Sequence, residues 1–164
     1  MKKNIEHVGK FVVETEASAL LKLASDLPED FVGTIEAILN TKGRVIVSGV
    51  GKSGHVGRKI AATLASTGTP ASFVHATEAS HGDLGMITPE DFCLLISNSG
   101  ETAELNDILA HTRRFGIVTA VISSSMDSTL MQAADLKLVL TDAPEACTIG
   151  MAPTTSTILT MALG

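Results

Sequence analysis

Residues 44–54 read Arg44-Val45-Ile46-Val47-Ser48-Gly49-Val50-Gly51-Lys52-Ser53-Gly54. Val45-Ile46-Val47 is apolar throughout, the pattern of a strand buried on both faces, and the Ser- and Gly-rich run after it closes the strand. An Ala-rich helix is expected from His55 to Ser66, ended by Gly68. The pattern then repeats downstream. Ala71 to Val74 reads as a second strand, Phe92 to Ile96 as a third and Ile117 to Ile122 as a fourth, with Leu136 to Leu140 as the fifth. Helices are expected from the Ser97–Thr102 loop to about Phe115, where Gly116 caps the segment, and from Met126 to Ala134. Apolar strands alternating with helices give βαβ units, hence a three-layer α/β fold: a doubly wound open sheet of five parallel strands, with ligands at the strands' carboxyl ends.

Upstream, Val12, Val13, Ala17, Leu20, Leu21 and Leu23 form a helical stripe that Pro28 interrupts. A second stripe carries Phe31, Val32, Ile35, Ile38 and Leu39. Residues 1–43 are therefore expected as N-terminal helices packing on the domain or on a neighbouring subunit, and 44–164 as the sheet domain. The last ten residues read as an apolar helix with no polar outer face, so the domain is expected to be truncated at its C-terminal helices.

The 164 residues suffice for one domain with its own core. The formal net charge of -6 gives no broad footprint for a nucleic-acid backbone, and aromatic residues at 3% leave few stacking platforms for bases. Cys93 and Cys147 form no C-x-x-C pair, and Cys93 reads as core strand material. No apolar run follows the basic start Met1-Lys2-Lys3, and none reaches a membrane span of about 20 residues. These features point to a cytoplasmic protein with neither membrane nor nucleic acid as partner.

Gly49-Val50-Gly51-Lys52-Ser53-Gly54 literally matches the G-x-G-x-x-G dinucleotide fingerprint, but Val74 is followed by His75 where an acidic residue should hold a ribose. A P-loop fails on spacing, because its leading glycine would fall at Ile46. The second loop, Ser97-Asn98-Ser99-Gly100-Glu101-Thr102, gathers three hydroxyls where a strand meets a helix. With free N–H groups and the positive end of the helix dipole, such a turn suits one compact phosphate. Its plainer reading is an N-capping turn, for which one hydroxyl suffices.

Gly51-Lys52-Ser53-Gly54-His55, then His75 to Gly85 with its His81-Gly82-Asp83-Leu84-Gly85, then Ser97 to Glu101 together resemble the sugar isomerase (SIS) domain. Its arabinose 5-phosphate isomerase branch is the nearest likeness, and Glu145-Ala146-Cys147 and Ala152 to Thr157 extend it. The resemblance implies a flavodoxin-like SIS fold and interconversion of D-arabinose 5-phosphate and D-ribulose 5-phosphate, feeding 3-deoxy-D-manno-octulosonate (Kdo) synthesis for lipopolysaccharide or capsule. It ties Lys52, His81, Glu104 and Glu145 to catalysis, and His75 to a metal, an inhibitory zinc, with no cofactor required. Gly68-Thr69, the stretch after Asn106, and Thr141 to Ala143 match substrate-contacting segments. The family carries a further catalytic His and commonly paired CBS domains downstream, neither of which falls within these residues. A homotetramer with sites near subunit boundaries is also implied.

The chemistry suits the residue types, since moving a proton between C1 and C2 through an enediol needs an acid and a base in one pocket. Phosphate is expected on Ser97, Ser99 and Thr102 with Gly51, Ser53 and Asn98 nearby, and Lys52 as stabiliser of the enediolate. Each residue has a plainer reading: Lys52 a solvated loop lysine, His81 a turn histidine, Glu104 a first-turn acid, Glu145 an ordinary loop residue. His7 and His111 read as surface residues, and His55 as a helix-start residue able to line the cleft. The alternatives are an isomerase of another phosphosugar and a non-catalytic sugar-phosphate-binding module.

Overall fold

The computed structural model describes residues 2–164; Met1 lies outside them. Five strands, β1 (Val45–Gly49), β2 (Ala71–Phe73), β3 (Phe92–Ile96), β4 (Thr119–Ser123) and β5 (Leu136–Val139), form one all-parallel sheet in the order β2-β1-β3-β4-β5. The strand order reverses between β1 and β3, which opens a crevice at their carboxyl ends. Alternate strand residues feed two cores. Val45, Val47, Leu94 and Ile122 face a layer of α1 (Lys2–Ser25), α2 (Phe31–Asn40), α3 (Gly51–Ser66) and α7 (Thr155–Leu163). Ile46, Cys93, Leu95 and Val121 face α4 (Ala76–Ser80), α5 (Asn106–Phe115) and α6 (Thr129–Ala133). The expected doubly wound sheet is therefore present, with its continuous apolar strands buried on both sides.

The element boundaries differ from expectation for local reasons. α3 begins at Gly51 rather than His55, so Lys52 and Ser53 lie in its first turn instead of a loop. Gly51 has φ 59°, and Gly54 packs so closely on Gly49 that a Cβ there would strike the Gly49 carbonyl. The G-x-G-x-x-G spacing thus serves a tight strand–helix junction. Ile117 follows the C-cap of α5 and lies outside β4: Gly116 is left-handed and the Ile117 N–H donates to the Thr112 carbonyl. α6 starts only at Thr129, where Glu101 accepts its N–H.

The apolar character of α7 is accounted for by packing against α1 and α3. Ala19 and Leu23 of α1 join the sheet's core, whereas Val13 and Leu21 of the expected stripe are exposed, as are Val32, Ile35 and Leu39 of α2. At the amino ends of the strands, buried Asp91 accepts from Arg44 N (2.7 Å), Thr88 N (2.8 Å) and Thr88 Oγ1 (3.1 Å). Pairing of this kind is what lets a carboxylate occupy the interior.

Candidate active site

The loop after β1 and the loop after β3 meet the N-terminus of α7 around a cleft of about 360 Å³, which is within the usual size of a small-molecule site. Lys52, Ser53, Asn98, Glu145 and Ser156 line it. Lys52 comes from the first turn of α3, whose N-cap is Val50, with no side-chain cap and no acid in the first turn. The leading N–H groups of that helix therefore remain available, and the ammonium adds to the positive end of its dipole. This is a strongly anion-attracting corner in an acidic chain.

Glu145 stands at the start of α7. Its Oε2 accepts from Thr154 N (2.7 Å), Thr154 Oγ1 (2.9 Å) and Ser156 N (3.3 Å), while Oε1 has no protein donor among the described residues. Partial burial pushes the carboxyl up, but the donors on Ser156 and Thr154 outweigh it and hold the group below the ordinary carboxylate range. Glu145 is accordingly ionised at neutral pH, with one oxygen lacking a protein donor among the described residues, and it also caps α7. Ser156 Oγ is buried beside it and has no hydrogen-bond partner of ordinary geometry. Asn98, Glu145 and Ser156 also line a smaller cavity of about 180 Å³ toward Thr141, Asp142 and Ala143, so the last three lie next to the cleft.

The serine-rich loop is organised from within. Ser97 is 2% exposed, its Oγ pairing with Thr102 Oγ1 at 2.7 Å and accepting from Gly100 N at 3.0 Å. Ser97, expected on the phosphate, has its buried hydroxyl engaged in holding the turn. Ser99 Oγ accepts from Glu101 N at 3.2 Å, and the Ser99 and Thr102 N–H groups have no acceptor among the described residues. Exposed Asn98 is braced through its carbonyl by Ser124 N (2.9 Å), Ser124 Oγ (2.6 Å) and Ser123 Oγ (3.1 Å). Glu101 bonds Thr129 N and Oγ1, both at 2.7 Å, and those donors hold its carboxyl low. Ser123 and Ser124 are contributors the sequence reading missed, with the Ser123-Ser124-Ser125 run as their signal, and Glu101 was read only as part of its loop.

The remaining expected residues do not reach the cleft. His81 ends α4 and Glu104 lies in the 3-10 turn Ala103–Leu105 before α5; both are exposed, on the layer opposite α3 and α7. Gly68 and Thr69 precede β2 at the amino end of the sheet, beside Thr41 and Gly43, so one subunit does not bring them to the site. Asn106 opens α5 on the far layer, and residues 107–116 run away from it along that helix.

His75 is the N-cap of α4, its Nδ1 accepting from Thr77 N at 3.3 Å. Among the described residues no three His, Cys, Asp or Glu side chains converge to hold a metal, so the donors present do not fit the zinc that the resemblance implies. His55 is exposed on α3 and does not line the cleft. His7 is exposed as expected, but His111 is half-buried, bonding the Ile87 carbonyl at 3.1 Å and stacking near Phe115.

Both cysteines are free. Burial, then the Asp91 charge, push the Cys93 thiol up to about 12, as its strand position suggests. Cys147, in the loop walling the cleft, is held low by the N–H groups of Ala152, Ile149 and Met151.

Known proteins place this architecture. The chain is 50% identical over 161 residues to arabinose 5-phosphate isomerase KdsD of Yersinia pestis, covering 98% of this chain and 49% of that one. KdsD of Escherichia coli K12 is 44% identical with the same coverage. The chain thus spans about half the length of the curated relatives it matches. Among solved structures, the c3406 protein of E. coli CFT073 in complex with arabinose 5-phosphate superimposes with a TM-score of 0.93 at 38% identity, over 99% of this chain and 86% of that one. A sugar-phosphate isomerase of Listeria monocytogenes, described as putative, gives 0.95 at 28% identity and the same coverage. The model of the SIS domain matches residues 38–164, from the end of α2 through every loop that builds the cleft, and the chain belongs to the SIS domain family.

Proposed function

We propose that this chain carries the isomerase activity of an aldose–ketose isomerase that interconverts D-arabinose 5-phosphate and D-ribulose 5-phosphate. The observation that carries the reading is Lys52 and ionised Glu145 facing one cleft at two helix N-termini. The relatives' printed names and the solved complex with arabinose 5-phosphate support the substrate.

The phosphate sits at the α3 corner and on the exposed part of the Ser99–Thr102 turn, which orients the reacting carbons. Glu145 Oε1 takes the proton from C2 of the aldose while O1 gains one, giving the 1,2-enediol. Return of a proton to C1 and loss of the O2 proton gives the ketose. Lys52 stabilises negative charge developing on oxygen, and the steps balance without a cofactor. His81 and Glu104, on the opposite layer, act on the cleft of a neighbouring copy in a homotetramer. The exposed Phe11, Val13 and Leu21 of α1 and Leu39 of α2 are apolar surface consistent with such association. The product feeds Kdo synthesis in the cytoplasm; no described helix is long and apolar enough to cross a membrane.

Incubation of the full chain with arabinose 5-phosphate, read by a ketose-specific assay, tests the reading. Turnover is expected, and Lys52→Met should lower kcat by at least about a hundredfold. Phosphosugar binding without any turnover by wild type would instead support a non-catalytic binding module.

A further inference from the structure

Charge is more one-sided on α3 than on any other described helix. Across Gly51–Ser66 it carries Lys52, Arg58 and Lys59 and no Asp or Glu, although acids exceed bases 18 to 12 over the whole chain. All three are exposed, and neither ion pair found among the described residues, Lys10–Glu14 and Arg44–Asp91, involves them. Folding alone does not favour a cation in the first turn, because it opposes the helix dipole.

The cations are also held in place. The Arg58 guanidinium lies 4.2 Å over the Phe73 ring, at the carboxyl end of β2, and Lys59 Nζ contacts Thr63 Oγ1. Lys52 lines the cleft. From Lys52 to Lys59 is seven residues, about 10 Å of helix, so the positive strip extends along α3 from the turn that lines the cleft.

We propose that the Arg58–Lys59 face of α3 is an approach surface that draws a phosphosugar dianion toward the Lys52 corner of the cleft. The proposal rests on the phosphosugar reading above. An acidic chain repels a dianion at long range, and a local cationic strip reverses that field where the ligand must enter. Two unit charges about 10 Å from a dianion raise its capture roughly fivefold when the Debye length is about 30 Å, near 10 mM salt. The effect disappears when that length falls to about 3 Å, near 1 M.

The test compares wild type with the double variant Arg58→Gln/Lys59→Gln, and with the charge-keeping pair Arg58→Lys/Lys59→Arg, measuring kcat and kcat/KM for arabinose 5-phosphate from 10 mM to 1 M salt. The neutral pair should lose about fivefold in kcat/KM at 10 mM, keep kcat, and converge with wild type at 1 M; the charge-keeping pair should follow wild type throughout. Equal kcat/KM at low salt overturns the proposal. So does a loss that persists at 1 M, which would mark a packing contact. A wild-type chain that neither binds nor turns over the sugar overturns the functional reading and this one together, whereas wild-type turnover with no salt-dependent difference overturns this one alone.

Discussion

Replacing Glu145 by Gln keeps the size and one acceptor of the side chain but removes its charge. In the native chain that carboxylate receives three donors, two from Thr154 and one from Ser156, at the positive end of α7. A charge at a helix N-terminus contributes about 0.3–1 kcal/mol, and the charge-assisted bonds are roughly twice as strong as neutral ones. Discounted for partial solvation, the substitution should cost about 1 kcal/mol. For a chain of this size that lowers Tm by about 2–4 °C.

The pH dependence has a definite sign. The folded carboxyl lies below its ordinary 4.5, so its stabilisation is fully present above that value and is lost as pH falls through the folded pKa. The Tm gap between wild type and Glu145→Gln should therefore be widest near neutrality and close in acid. Turnover tells the other half, because losing a general base costs about 10²–10⁴-fold in kcat, far more than a small drop in Tm explains. Scanning calorimetry from pH 7 down into the acid range, paired with the ketose assay well below Tm, measures both. A gap that stays constant into acid, or no gap at pH 7, would refute the charge–cap argument, and unchanged turnover would refute the assignment of Glu145 as base.

Gly100→Ala should be severe for a residue with no side chain of its own. Its φ is 70°, and a Cβ there would collide with Ser128 Oγ and crowd Ser123 Oγ. Left-handed strain and overpacking together amount to about 2–4 kcal/mol, a fall in Tm of roughly 5–10 °C with weakened inorganic phosphate binding; a melt within 2 °C or so of wild type would contradict the loop geometry. Ser156→Ala should be mild by comparison. Its buried hydroxyl faces the Glu145 carboxylate without ordinary hydrogen-bond geometry, so its removal should shift Tm by no more than a few degrees, about 1 kcal/mol, and a larger loss in calorimetry would mean the hydroxyl is a full donor to that carboxylate.

Much of this was legible along the chain. Val45-Ile46-Val47 and Phe92-Cys93-Leu94-Leu95-Ile96 announce strands buried on both faces because no polar residue interrupts them, and Gly116 marks its helix end through its freedom at positive φ. Lys52 and Asn98 were legible as candidates because they stand beside strand ends, where a doubly wound sheet keeps its ligands, whereas Glu145 was a candidate only through the family resemblance.

Other properties depend on contacts between residues distant in sequence, and no local pattern carries them. Ser97 and Ser99 look alike in the sequence, yet only the packing of Thr102 and Gly100 turns the Ser97 hydroxyl inward and leaves Ser99 outside. Lys52 and Glu145 are 93 positions apart and meet because α7 folds back against α3, whereas His81 and Glu104 are carried to the other face of the sheet by right-handed crossovers. Apolar periodicity on one strand is a local consequence of burial and is written in sequence. Which side chains share a cleft is settled by the order and handedness in which those strands are laid down.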